Sequence, residues 1–144
     1  MAVLVAANAL PVPRVEANTP WGMIAGRVVG RVKQMSQQPK NGQPGFDLAT
    51  VILSAPADKV YATAVEMLGR NPTLRIVADN RRERTVEFSS GTRSAQITVN
   101  DLGARLSQMI VASATRPGED SATLRIVDGI LRVCQAMKVT CNEG

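Results

Sequence analysis

From Phe46 to Cys141 the hydrophobic period changes in a fixed order: two, then 3.6, then two across four segments, then 3.6 again. A period of two puts alternate side chains on opposite faces of a strand, and a period of 3.6 lines one face of a helix. The pattern specifies an α+β fold in the order β-α-β-β-β-β-α. It predicts an antiparallel meander of about five strands with two helices packed on one face.

The segments follow from the residues. Asp47 to Ser54 is rich in β-branched and aliphatic side chains and reads as the first strand. Pro56 suits the first turn of a helix, and Asp58 puts negative charge at its start. A helix over Ala57–Leu68 follows, with Val60, Ala64, Met67 and Leu68 as its apolar stripe. Gly69, Asn71 and Pro72 stop it. Leu74 to Ala78 is the second strand, and Asp79 to Arg82 a turn. Thr85 to Ser89 is the third strand, with Val86 and Phe88 pointing inward. Ser94 to Val99 alternates most cleanly, with Ala95, Ile97 and Val99 inward. Arg105 to Ser113 is the fifth strand. It is partly apolar on both faces, which places it centrally or under a helix. A helix over Ser121–Met137, capped by Asp120 or Ser121, carries the stripe Leu124, Val127, Ile130, Leu131 and Cys134. One stripe per helix leaves the far face of the sheet polar, as Glu87, Ser94, Gln96 and Thr98 suggest.

Upstream of this pattern the sequence changes character. Ser36 to Gly45 holds two prolines and two glycines among polar residues and reads as a linker. Residues 1–45 are then a flexible arm and linker, and residues 46–144 the compact domain. Within residues 1–17, Ala2 to Leu10 is a short apolar run, and Val15, Glu16 and Ala17 resemble a signal-peptidase site. No basic segment precedes the run, so it is either a signal-peptide remnant or an apolar tail. Gly22, Gly26 and Gly30 are four apart, a spacing that allows close helix approach. The arm is therefore a candidate for homo-oligomer contact, although Val28, Val29 and Val32 fit an edge strand equally.

The chain lacks histidine. That removes the commonest general base and metal ligand at neutral pH, and with it Ser-His and Cys-His pairs. No P-loop, dinucleotide loop or nucleophile elbow is present. No catalytic residue, metal or cofactor is expected on these grounds. Net charge is +5, mostly from arginine, which attracts anions and says nothing about fold. Arg75, Arg81, Arg82, Arg84 and Arg93 form a candidate anion-binding cluster. The strands offer only Phe88 as an aromatic platform, and it points inward, which weighs against nucleic acid.

Cys134 and Cys141 are the only cysteines. On one continuous helix they would be about 10.5 Å apart, whereas a disulfide needs less than about 7 Å. A bridge requires the helix to stop near Met137 and the tail to fold back. The alternative is a buried Cys134 and a free tail cysteine.

From Leu48 onward the layout resembles a group of small bacterial cell-envelope proteins of unknown function, many of them lipoproteins. The resemblance rests on residues Ala57 to Ala62, Thr85 to Phe88, Gln96 to Val99 and the helix Ala122 to Met137. It covers about two-thirds of the chain, and it departs from the lipoproteins because there is no N-terminal cysteine to acylate. It implies a periplasmic or envelope-associated, non-catalytic domain and supplies no site residues.

The first expectation is therefore a non-enzymatic binding or structural module of the bacterial envelope, with a protein or anionic envelope partner. The second is a cytoplasmic basic module that binds nucleic acid or an acidic protein. The third is an enzyme whose cleft lies between sheet and helices.

Overall fold

The computed structural model describes residues 29–143. The signal-like start, Gly22, Gly26 and Val28 lie outside them. The described chain runs β1 (Arg31–Gln37), β2 (Gly45–Leu53), α1 (Ala57–Arg70), β3 (Arg75–Asn80), β4 (Thr85–Ser90), β5 (Arg93–Gly103), β6 (Leu106–Thr115), α2 (Thr123–Met137) and β7 (Asn142–Glu143). The strands form one sheet in the order β3-β4-β5-β6-β2-β1-β7.

The fold is α+β with two helices, but the sheet is larger than the expected five-strand antiparallel meander. It has seven strands and is mixed, because β7 pairs with β1 in parallel. Both added strands lack a readable period. In β1 only Val32 is fully buried, and Met35 stays 57% exposed. The strand β7 is two residues long.

The stretch expected as a linker is a hairpin connection. Asn41 and Gly42 both adopt positive φ, 53° and 74°, and Lys40 and Gln43 close the turn with backbone bonds of 3.1 and 2.8 Å. An Asn-Gly pair is suited to such a turn because both residues tolerate the left-handed region. The turn brings β1 back against β2, in register from Lys33 opposite Thr50 to Gln37 opposite Phe46.

The main core lies between the sheet and both helices. Ala49, Val51 and Leu53 of β2 face it, beside Met109 and Val111 of β6 and Ile97 and Val99 of β5. Val60, Tyr61 and Ala64 of α1 and Ile126, Val127 and Ile130 of α2 close it from above. Burying each of the valine, leucine, isoleucine and methionine side chains here stabilises the fold by roughly 1.5–3 kcal/mol. The far face is not uniformly polar as expected. Leu48 of β2 and Ile110 and Ala112 of β6 form a second buried cluster there, with Phe46 packed on it. Central strands are apolar on both faces, so β2 and β6 give no simple alternation.

Tyr61 ties α1 to the β3–β4 hairpin. Its hydroxyl donates to the Asp79 carboxylate and lies 3.0 Å from the Thr85 carbonyl. Burial, and then the bond to Asp79, push this phenol well above its ordinary range, so it stays a donor.

At the other edge the C-terminus folds back. Lys138, with φ 60°, ends α2 in the left-handed conformation, and Val139 N–H donates to the Cys134 carbonyl at 3.0 Å. The tail then lies on Gly30, whose carbonyl accepts from Asn142 N–H at 2.8 Å. A Cβ on Gly30 would collide with the Thr140 carbonyl oxygen, and its φ is +85°. Gly30→Ala is therefore expected to cost about 1–3 kcal/mol and to speed hydrogen exchange at the Asn142 amide. Unchanged exchange there would show that the tail does not rest on this glycine.

Candidate functional site

α1 and α2 do not close over the whole sheet. Between the C-terminal end of α1, the face of α2 and strands β4 to β6 lies a half-open cavity of about 760 Å³. Its floor is Phe88 of β4, Ala95 and Ile97 of β5, and Met109 and Val111 of β6. Its walls are Met67, Leu68 and Leu74 on one side and Ile126, Ile130 and Val133 on the other. The strand period explains the floor: these residues occupy the helix-facing positions, so the same alternation that builds the core lines the cavity.

The charged residues that line it are Arg70, Arg93, Arg125, Arg132 and Asp128. Two of the arginines have partners on their own helix. Arg70 pairs with Glu66 and Arg132 with Asp128, at 3.1 and 3.0 Å. Arg93 is different. It opens β5 on the helix-facing side, and only 11% of its side chain is exposed. Its Nη2 donates to the Asp120 carbonyl at 2.5 Å and lies 3.6 Å from a Glu119 oxygen. Its Nη1 is buried with no hydrogen-bond partner. The mouth on the α2 side is set by Gly129, which stands between Arg125 and Arg132. A Cβ there would meet nothing within 4 Å.

The expected arginine cluster is divided by the sheet. Arg81 and Arg82 sit exposed in the β3–β4 turn, and Arg84 pairs with Asp58 at 3.0 Å and reaches the Val99 carbonyl. Arg75 and Arg93 stand at the opposite end, on strands where Arg75 faces Ser89 and Arg93 faces Ser90. Only Arg93 enters the cavity. Among the described residues no group of three potential metal ligands comes together.

Cys134 and Cys141 are disulfide-bonded, with Cα atoms 6.0 Å apart. The left-handed turn at Lys138 supplies the approach that a continuous helix would deny. Of the expected arm contact, Gly30 alone lies in the described residues, and it meets the chain's own Thr140.

One residue that the sequence did not mark organises the start of α2. Asp47, on β2, is 2% exposed. Its Oδ1 accepts from Ser36, Ser121 and Thr123 hydroxyls at 2.7, 2.9 and 3.1 Å. Its Oδ2 accepts from the Thr115 hydroxyl and the Ala122 N–H, both at 2.8 Å. Burial alone raises this carboxyl, but the Ala122 N–H and the Ser36, Thr115 and Ser121 hydroxyls outweigh it and hold the pKa at about 2. The first turn of α2 contains no acidic residue, and Ala122 has no side chain to cap it. Asp47 supplies the missing negative charge from the helix-facing side of β2, where Asp120 or Ser121 was the expected cap. Ser121 contributes locally, accepting the Thr123 N–H at 3.1 Å. The signal for Asp47 was a lone acid between Phe46 and Leu48 in an apolar strand. The signal for Gly129 was a glycine inside a helix with no turn to make.

No family model matches the chain, and no curated protein does. Among solved structures it is similar to CalU16 from Micromonospora echinospora, at 10% identity and a TM-score of 0.47, over 74% of this chain and 82% of that one. It is also similar to the ZhuI aromatase/cyclase from Streptomyces sp. R1128, at 14% identity and a TM-score of 0.37, over 74% of this chain and 87% of that one. With both TM-scores below 0.5, the activity of neither neighbour is carried over to this chain. The expectation of a non-enzymatic envelope module is nonetheless corrected. The structure holds a cavity of small-molecule size between sheet and helices, where the third expectation had placed an enzyme's cleft. The physical reason is that contiguous motifs were the basis for excluding catalysis, whereas the cavity is assembled from residues on five elements and their loops.

Proposed function

We propose that the chain takes up a small, mainly apolar molecule in the cavity between α2 and the sheet. The observation that carries this reading is the cavity itself. Its volume of about 760 Å³ falls within the range of roughly 300–1,000 Å³ usual for small-molecule sites. Its apolar floor and walls meet a few polar groups at one end and at the mouth, an arrangement that favours apolar contact and leaves orientation to the polar groups.

Gly129 supports the same reading. A glycine inside a helix costs about 1 kcal/mol relative to alanine. Here a methyl group would clash with nothing, so packing does not require the glycine. What it provides is room at the mouth.

N-phenylnaphthylamine, a neutral dye that fluoresces in apolar surroundings, tests the proposal. It is expected to bind the wild-type protein at a single site. Gly129→Leu is expected to weaken that binding by about tenfold, since the leucine side chain fills space a ligand needs. Gly129→Ala should leave binding within about twofold and stabilise the fold by about 0.5–1 kcal/mol. A wild-type protein that does not bind the dye would overturn the reading, as would a Gly129→Leu variant that binds it equally well.

A further inference from the structure

The cavity is apolar, yet its one deep charged group is a cation with an unused donor. We propose that its ligand is an amphipathic organic anion, whose carboxylate or similar acidic group is held by Arg93. This rests on the reading of the cavity as a ligand site.

Three observations support the assignment. First, Arg93 Nη1 is buried without a hydrogen-bond partner, while Nη2 is engaged by Asp120 and Glu119. A buried donor left unmade is unfavourable; Arg93 lines the cavity, and an acceptor that the side chain shifts to meet there relieves the cost. Second, the contacts of Nη2 with the Asp120 carbonyl and Glu119 hold the planar guanidinium beside the cavity. Such a fork suits a carboxylate better than a neutral oxygen. Third, the surroundings favour an anion. Four arginines line the cavity against Asp128, which is already paired with Arg132. Arg125 stands at the mouth, with no ion pair among the described residues. The nearest offsetting charge at the deep end, Glu119, lies 3.6 Å from Nη2 rather than against Nη1. An acidic group beside Arg93 would place its apolar body over Phe88, Ile97 and Met109.

A pair of dyes separates the charge from the apolar body. Anilinonaphthalene sulfonate and N-phenylnaphthylamine share one ring system, and only the first is an anion. Arg93→Met is expected to weaken the sulfonate by about tenfold or more and to leave the neutral dye within about threefold. Arg82→Met removes one positive charge outside the cavity and should change neither affinity. Equal effects of Arg93→Met on the two dyes would overturn the assignment of the anion while leaving the cavity reading intact. Failure of both dyes to bind the wild type would overturn the cavity reading, and the assignment with it.

Arg93 also holds the loop before α2, and a variant that fails to fold leaves the decision to the wild-type protein. Decanoate is expected to displace N-phenylnaphthylamine at a concentration about tenfold lower than decanol does. Equal potency of the acid and the alcohol would refute the anion assignment without any variant.

Discussion

Replacing Asp47 by alanine is expected to lower the unfolding free energy by on the order of 4 kcal/mol. The substitution removes the shared acceptor of Ser36, Thr115, Ser121 and Thr123 hydroxyls and of the Ala122 amide. Those donors come from β1, β6, the loop before α2 and α2 itself. No described side chain stands ready to replace the carboxylate. The hydroxyls can turn toward one another, since Ser121 and Thr123 oxygens are already 2.8 Å apart. The Ala122 amide cannot turn, and it stays buried and unpaired. Asp47→Asn keeps the shape and one acceptor oxygen, so its cost should be about half as large.

The same carboxyl gives a pH signature. Its pKa is about 2 in the folded protein against 3.8 as a free side chain. A lowered folded-state pKa means that the unfolded chain takes up the proton first. The stabilisation is therefore complete above about pH 4 and is lost as pH falls toward 2. The difference corresponds to about 2 kcal/mol, at 1.36 kcal/mol per unit. Urea unfolding followed by circular dichroism should show this slope in the wild type and a flatter one in Asp47→Asn. Identical slopes between pH 4 and 2 would show that Asp47 is not the group responsible.

The residues that the sequence made legible are those governed by one local period. The α1 stripe, the α2 stripe from Val127 to Cys134, the β4 alternation through Val86 and Phe88, and the β5 alternation through Ile97 and Val99 each bury one face, whereas Leu124, read into the α2 stripe, is 80% exposed. Such segments declare themselves because the core contacts repeat along the chain. The strand β1, flanked outside only by the two-residue β7, does not, because a strand with one buried valine has nothing to repeat. The Asn41-Gly42 turn that leads into β2 was visible in the composition, but the prolines around it gave the look of a linker. Asp47 was visible as a residue and not as a role, since its donors stand 11 to 76 positions away. The cavity was hidden for the same reason. Arg93 and Gly129 line it together only because α2 packs over the sheet, and no spacing in the sequence records that meeting.

The disulfide carries the second large effect. Cys141→Ser is expected to destabilise the fold by about 2–3 kcal/mol, the loop-closure value for so short a ring. The separation is seven residues, from the last turn of α2 to the residue before β7. For a chain of this size that corresponds to a fall in melting temperature of about 10 °C. The substitution is made at Cys141 because Cys134 is 2% exposed, and a serine there would also bury a hydroxyl. Two consequences separate the staple from mere packing. A reductant should lower the melting temperature of the wild type by a similar amount and leave Cys141→Ser unchanged. The loss should also be local before it is global. The Asn142 amide, bonded to Gly30, should exchange faster, while amides of β5 and β6 keep their protection relative to global unfolding. Because α2 is the cavity's outer wall, the staple fixes the end of the helix remote from Arg93, and dye binding should weaken less than stability. A wild type whose thiols are fully reduced, yet which melts at its oxidised temperature, would show that the tail is held by β7 and Gly30 alone.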